Sequence, residues 1–356
     1  MKFIRFLGVA SAAALLLTAC GGGGDGDQSP RVRYSAMVSF GDSLSDVGTY
    51  GTATLKAATG GGKYTVNGPA GKNWTELVSA QLGTGAPCAA QTGLESSGPL
   101  AAFAEPITNH AACRGYAQGG ARVTNPVGPG NKALIALGDT GGYVGQMTVP
   151  VVTQINNHLS AVGGRFSGSE LVTVMAGGND VFINLAAVSG GQATPTQAVT
   201  AMGQAGAELA GYIKALILAN GATHVVVVNL PDVSQTPLAY AQSAEVQGLI
   251  NMMVTTFNTQ LHTGLAGTTG VLEVDAYTQG RDQVANPATY GLTNVTTPAC
   301  DLTRTVFASS LVCSGTTLIA GDTSRYEFAD SVHPTPYGYQ LLAQFVTKRM
   351  IESGWL

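Results

Sequence analysis

A serine hydroxyl attacks a carbonyl carbon only when a base takes its proton, and an imidazole base needs a carboxylate to fix its tautomer and support its charged form. Of the five histidines, only His333 has an acidic residue three positions earlier, in Asp330-Ser331-Val332-His333-Pro334. Before the others stand Ile107, Ile155, Gly221 and Thr259. A serine suited to the nucleophile's part lies in Phe40-Gly41-Asp42-Ser43-Leu44, after the apolar run Ala36-Met37-Val38-Ser39-Phe40, where a short strand should stop. Two glycine-rich segments offer donors for a developing oxyanion. Gly177-Gly178-Asn179-Asp180 follows the β-rich run Leu171-Val172-Thr173-Val174-Met175 and carries an amide, and in Tyr116-Ala117-Gln118-Gly119-Gly120-Ala121 glycine lets a backbone N–H come close to a substrate oxygen. Together these residue types point to acyl transfer through serine.

Each piece also has a plainer structural use. A Gly-Asp-Ser turn can simply cap a helix, and Asp42, Asp46 and Asp180 read as turn or capping groups, because Asp has a short acceptor side chain. His110, His158, His224 and His262 lack metal-type spacing, there is no His-Glu-x-x-His, and no cysteine pair is spaced as in a zinc site, so no metal or organic cofactor is expected. The chain has no Gly-x-Ser-x-Gly either, so the nucleophile elbow of the α/β-hydrolase fold is absent and a serine hydrolase here needs another architecture.

Taken in order, the four segments resemble the conserved blocks of the GDSL, or SGNH, hydrolase family, over a stretch from about residue 36 to the end. The resemblance implies that Ser43 is the nucleophile, that Gly120 and Asn179 are oxyanion donors together with the Ser43 backbone N–H, that His333 is the base, and that Asp330 orients it. It implies a three-layer α/β/α sandwich with a mainly parallel sheet. The longer Phe40-Gly41-Asp42-Ser43-Leu44-Ser45-Asp46-Val47-Gly48 is similar to the bacterial subgroup of secreted lipases, esterases and phospholipase- or lecithinase-like enzymes. One departure stands out: the second block often has Asn before Tyr, and here Gly115 takes that place, leaving the choice between Gly119 and Gly120 open. The function so implied is ester hydrolysis through an acyl-serine, on an ester or lipid substrate. Phospholipid cleavage or acyl transfer, carbohydrate deacetylation and a non-catalytic surface-binding lipoprotein are the alternatives. Against the last, a binding module has no reason to keep Ser43, Asn179 and His333 together.

The elements that must position these residues alternate. Strand-like runs cover 36–40, 171–175, 225–230 and 271–274, and helical stretches cover 74–82, 198–220, 239–265 and 337–353. Asn220-Gly221 is a good helix end, and Val225-Val226-Val227-Val228 right after it reads as a strand buried on both faces. This is the pattern of an α/β fold with a parallel sheet under helices, in which ligands bind beyond the carboxyl ends of the strands, where Ser43 and Asn179 fall. Stretches 49–71, 83–150 and 276–330 are poor in helix signals and are expected to form loops around the site.

The first residues read as an address. A basic start at Met1-Lys2-Phe3-Ile4-Arg5, the apolar stretch 6–17 and Leu17-Thr18-Ala19-Cys20 have the form of a lipoprotein signal over 1–19, with Cys20 resembling an acylated lipobox cysteine and 20–34 a Gly-rich tether before a single domain over 35–356. The expected place is the bacterial cell envelope, lipid-anchored to a membrane through Cys20, or secreted. With Gly21 and Gly22 directly after Cys20, and no Asp at the position that resembles an inner-membrane retention signal, the outer membrane is favoured. Export fits the remaining four cysteines, of which the local pairings Cys88 with Cys113 and Cys300 with Cys313 are favoured because each brackets a segment with little core of its own. The chain has 356 residues, a formal charge of −4 and 11% charged residues, which gives no basic patch for nucleic acid, while 45% apolar residues are enough for one sizeable core. Oligomeric state has no signal in the sequence.

Overall fold

In the computed structural model, which describes residues 32–136 and 144–356, the short apolar runs pair as a parallel sheet. β1 (Met37–Gly41), β4 (Leu171–Met175), β5 (His224–Val228) and β6 (Val271–Val274) lie side by side in that order, and β2 (Gln91–Leu94) and β3 (Glu105–Asn109) form a separate antiparallel hairpin. The helices are α1 (Ala53–Thr59), α2 (Trp74–Leu82), α3 (Ala133–Ala136), α4 (Val151–Ala161), α5 (Gly178–Ser189), α6 (Pro195–Tyr212), α7 (Pro237–Tyr240), α8 (Ala244–Leu265), α9 (Ala276–Ala285) and α10 (Pro336–Glu352). The signal segment, Cys20 and most of the tether lie outside the described residues. No helix among the described residues is long and apolar enough to cross a membrane.

Strand side chains alternate between two faces, and here both faces are apolar. Val38, Phe40, Val172, Val174, Val225 and Val227 enter one buried cluster with residues of α4, α5, α6 and α8. Met37, Leu171, Met175, Val226, Val228 and Val274 enter a second with Trp74 and Val78 of α2 and Tyr339, Ala343, Val346 and Met350 of α10. The result is the three-layer α/β/α arrangement expected from the sequence.

Several boundaries differ from expectation, for local reasons. The helix expected over 239–265 is two, because Ser243 caps a fresh start by accepting from the Val246 N–H. The helix expected to reach Asn220 widens into a π-helical turn over Ile213–Leu218. The stretches expected as loops are not uniformly so. Thr52 caps α1 and Gly60 ends it in a left-handed conformation, Asp275 caps α9, and the hairpin and the single turn α3 occupy part of 83–150. Two disulfides close the expected local loops, Cys88–Cys113 and Cys300–Cys313.

Candidate active site

The site begins where β1 and β4 end together, with Gly41 in register with Met175. Gly41 has φ +149, and a Cβ there would lie 2.1 Å from the Met175 carbonyl oxygen, so the strand can turn toward Ser43 beside its neighbour only with glycine at this position. The turn is then fixed by side chains. Leu44 N–H donates to Asp42 Oδ1 at 3.0 Å, and Gly41 donates its N–H to Gln154 Oε1 at 2.9 Å while Gln154 Nε2 donates to the Gly41 carbonyl at 2.8 Å. Four residues past β4, Asn179 stands in the first turn of α5, so the two strand ends carry Ser43 and Asn179 to the same rim of the sheet.

The C-terminal segment brings His333 to Ser43. His333 Nε2 is 2.8 Å from Ser43 Oγ, and His333 Nδ1 is 2.8 and 2.9 Å from the two oxygens of Asp330. Asp330 also accepts the Val332 and His333 N–H groups on Oδ1 and the Ser310 N–H on Oδ2. Burial alone would raise this carboxyl, but the charge and hydrogen bond of His333, with the bonds from Ser310 and Val332, hold it well below the usual carboxylate range. An ionised carboxylate only accepts, so the hydrogen sits on Nδ1 and Nε2 is left to accept from the Ser43 hydroxyl. The Tyr64 ring lies against the imidazole with centroids 4.8 Å apart, and Tyr339 holds Tyr64 by donating its hydroxyl to the Tyr64 carbonyl at 3.1 Å.

The two glycines of the open choice differ in what each N–H is doing. Gly119 donates to Asp46 Oδ2 at 2.9 Å, and Asp46 Oδ1 takes the N–H groups of Gly48 and Thr49, so this buried carboxyl ties the segment after Ser43 to the Gly-rich one. Gly120, at φ +77, donates to no acceptor among the described residues. Asn179 Nδ2 gives one of its two hydrogens to the Ala121 carbonyl at 2.8 Å, which orients the amide and leaves the other hydrogen without an acceptor among the described residues. Asp180 is a structural group, pairing with Arg122 Nε at 2.8 Å and the Val123 N–H at 3.0 Å.

Ser43, Asn179 and His333 open into a cleft with about 1030 Å³ of empty space, part of it open solvent, walled largely by apolar side chains such as Leu44, Met175, Phe182, Leu230, Val233 and Leu342. Asp42 also borders it, and burial pushes that carboxyl up to about 7 against the Leu44 N–H and the charge of His333. Sequence reasoning missed Gln154, Tyr64 and Ser310. Each is a single polar residue whose partner lies far away along the chain, with no local pattern to mark it. For Asp46 the capping role was legible, but its bond to Gly119 was not.

The sequence profile of the GDSL-like Lipase/Acylhydrolase family matches residues 37–346. A GDSL esterase/lipase of Arabidopsis thaliana is 33% identical over 75 residues, 21% of this chain and 20% of that protein. A protein described as uncharacterized, from the trpE-trpG intergenic region of Pseudomonas putida, is 27% identical over 316 residues, 88% of this chain and 48% of that protein. The chain thus spans about half or less of the length of the curated relatives it matches. Among solved structures, LAE5, an α/β hydrolase enzyme from the metagenome of Lake Arreo in Spain, aligns with 90% of this chain and 97% of its own at 13% identity and a TM-score of 0.40. A variant of Axe2, an acetyl xylan esterase from Geobacillus stearothermophilus, aligns with 90% of this chain and 96% of its own at 13% identity and a TM-score of 0.37. The family profile runs through all four segments that build the site, and the chain belongs to the family of GDSL-like lipases and acylhydrolases.

Proposed function

We propose that this chain hydrolyses carboxylic esters through an acyl-Ser43 intermediate. The observation that carries the reading is the unbroken line of contacts from Ser43 Oγ through His333 to the ionised Asp330. Ser43 Oγ attacks the ester carbon and its proton passes to His333 Nε2. The resulting oxyanion is stabilised by the Ser43 and Gly120 N–H groups and the free hydrogen of Asn179 Nδ2. Collapse expels the alcohol, which takes the proton from Nε2. Water then attacks the acyl carbon with His333 again as base, releasing the acid and free Ser43. The apolar cleft beside Ser43 supports an acyl chain as its occupant, which ranks lipase or esterase activity above phospholipid cleavage, acyl transfer or sugar deacetylation.

A panel of p-nitrophenyl esters from acetyl to palmitoyl, run beside a phospholipid and an acetylated sugar, tests the reading and ranks the substrates. Folded protein that turns over none of them contradicts it and leaves the surface-binding alternative. We further propose that the protein is exported and held at a bacterial membrane, favouring the outer one, by a lipid on Cys20. Because that residue precedes a Gly-rich tether, Cys20→Ser should release active protein from the membrane fraction. Unchanged membrane association of the variant counts against the anchor.

A further inference from the structure

The carboxylates around the site have partners, with one exception. Asp330 has His333 and three N–H groups, Asp46 has three N–H groups, Asp180 has Arg122 and Val123, and Asp232, which also lines the cleft, has Arg281 and Ser234. Glu327 differs. Its backbone is fixed on both sides, the N–H donating to the Asn294 carbonyl at 2.9 Å and the carbonyl accepting the Thr335 N–H at 2.8 Å, yet its side chain makes no hydrogen bond or ion pair among the described residues. Oε2 is sealed from solvent without a partner, and Oε1 lies over Gly338 in the first turn of α10, where an added Cβ would stand 3.0 Å away. Glu327 is one of the residues lining the cleft shared by Ser43, Asn179 and His333. Burial alone pushes its carboxyl up to about 7, so at neutral pH it can present an O–H as well as an acceptor oxygen.

An unpartnered carboxyl in a largely apolar cleft discriminates between occupants. An alkyl group laid against it removes the remaining water and leaves the carboxyl bare, whereas a hydroxyl gives it a partner. A site with a polar group that only one substrate satisfies rejects the analogue lacking that partner far more strongly than a missing methylene is rejected. We propose that Glu327 is a specificity-determining residue that hydrogen-bonds a hydroxyl carried by the ester substrate. The proposal rests on the ester-hydrolase reading above. The hydroxyl can belong to the alcohol part of the ester or to its acyl part, and the test separates the two.

The experiment measures kcat/KM by pH-stat for two matched pairs: glyceryl monobutyrate against propyl butyrate, and ethyl 3-hydroxybutyrate against ethyl butyrate. The wild-type chain should favour the hydroxylated member by about 10-fold or more in one pair, which identifies the side of the ester that Glu327 meets. Glu327→Gln, which still donates and accepts, should keep that ratio within about threefold, and Glu327→Leu should bring it close to 1, with Glu327→Met in its place if the leucine variant does not fold. Comparing one ratio across variants cancels the intrinsic reactivity of the esters. Ratios near 1 in both pairs for the wild-type chain, or a preference that survives the apolar substitution unchanged, overturn the assignment of Glu327 alone. A folded chain that hydrolyses no ester and takes no fluorophosphonate at Ser43 overturns the ester-hydrolase reading as well.

Discussion

Gln154 holds Gly41 with both ends of its amide, accepting the Gly41 N–H at 2.9 Å and donating to the Gly41 carbonyl at 2.8 Å, although the two residues are 113 positions apart. Gly41 is the last residue of β1 and stands two before Ser43, so this pair fixes the end of the strand from which the Ser43 turn starts. Gln154 also donates to the Val149 carbonyl at 2.8 Å.

Replacing Gln154 by Ala leaves a buried N–H and a buried carbonyl without their partner, each costing roughly 1–3 kcal/mol. Gln154→Ala should therefore lower the melting temperature and, because the Ser43 turn loosens, lower kcat by about 10-fold or more while Ser43 and His333 remain in place. Gln154→Glu keeps the acceptor but loses the donor and should fall between the two. A variant with reduced stability and unchanged kcat would mean that Gln154 only packs and does not position the turn.

Asn179→Ala and Asp330→Asn should both lower kcat, by different routes. Loss of an oxyanion donor removes stabilisation where charge develops, so Asn179→Ala should lower kcat by about 10²–10³ with a smaller change in KM. That loss should be nearly constant from about pH 6 to 9. Asp330→Asn frees His333 to take the wrong tautomer and removes the charge beside its protonated form, so its deficit should shrink at high pH. Superimposable pH profiles for the two variants would contradict this division of roles, and near-normal activity in Asp330→Asn would mean that another carboxylate orients His333.

His158 is buried among the rings of Phe40, Tyr116 and Phe166, with neither ring nitrogen hydrogen-bonded among the described residues. Burial, with the Arg114 charge adding to it and Glu170 opposing, lowers its pKa to about 4. The sign follows directly: the unfolded chain takes a proton below about pH 6.5 while the folded chain resists until about pH 4, so this residue's share of stability is intact above 6.5 and is lost as pH falls toward 4. His158→Leu should be at least as stable as wild type at pH 7, and its advantage in melting temperature should be larger at pH 5. An equal gap at both pH values would mean that the imidazole has a proton partner in solution.

The disulfide Cys300–Cys313 braces both sides of Asp330. Cys300 N–H donates to the Ala329 carbonyl at 2.9 Å, and Ser310, just before Cys313, gives its N–H to Asp330 Oδ2 at 2.7 Å. Replacing both cysteines by serine should cost on the order of 3 kcal/mol from the reopened loop. It should also lower kcat on short esters, because Asp330 loses a fixed donor. Full kcat in the folded double variant would show that the bridge stabilises the loop without supporting the carboxylate.

Much of the sheet was legible in the sequence because it is written in short, local runs. Val225 to Val228 can be read as a strand buried on both faces without knowing what covers it, and the spacing of Asp330 and His333 places both on one turn. The helices α1 and α9 escaped because their capping residues, Thr52 and Asp275, sit in segments otherwise rich in Gly, Thr and polar residues. The resemblance pointed to Gly120 but left Gly119 open, and what sets the two apart, Asp46 having claimed the Gly119 N–H from 73 residues away, could not be read from the sequence. Gln154, Tyr64 and Ser310 belong to the same class: their role comes from contacts that only the folded chain creates.

The central claim, that Ser43 is the nucleophile activated by His333, is tested most directly by labelling the folded protein with a fluorophosphonate and locating the adduct by peptide mass spectrometry. The account predicts one adduct per chain on Ser43, abolished in Ser43→Ala and strongly slowed in His333→Ala, with residual ester turnover in Ser43→Ala below about a hundredth of wild type. Labelling that survives Ser43→Ala, or an adduct on another residue, would contradict it.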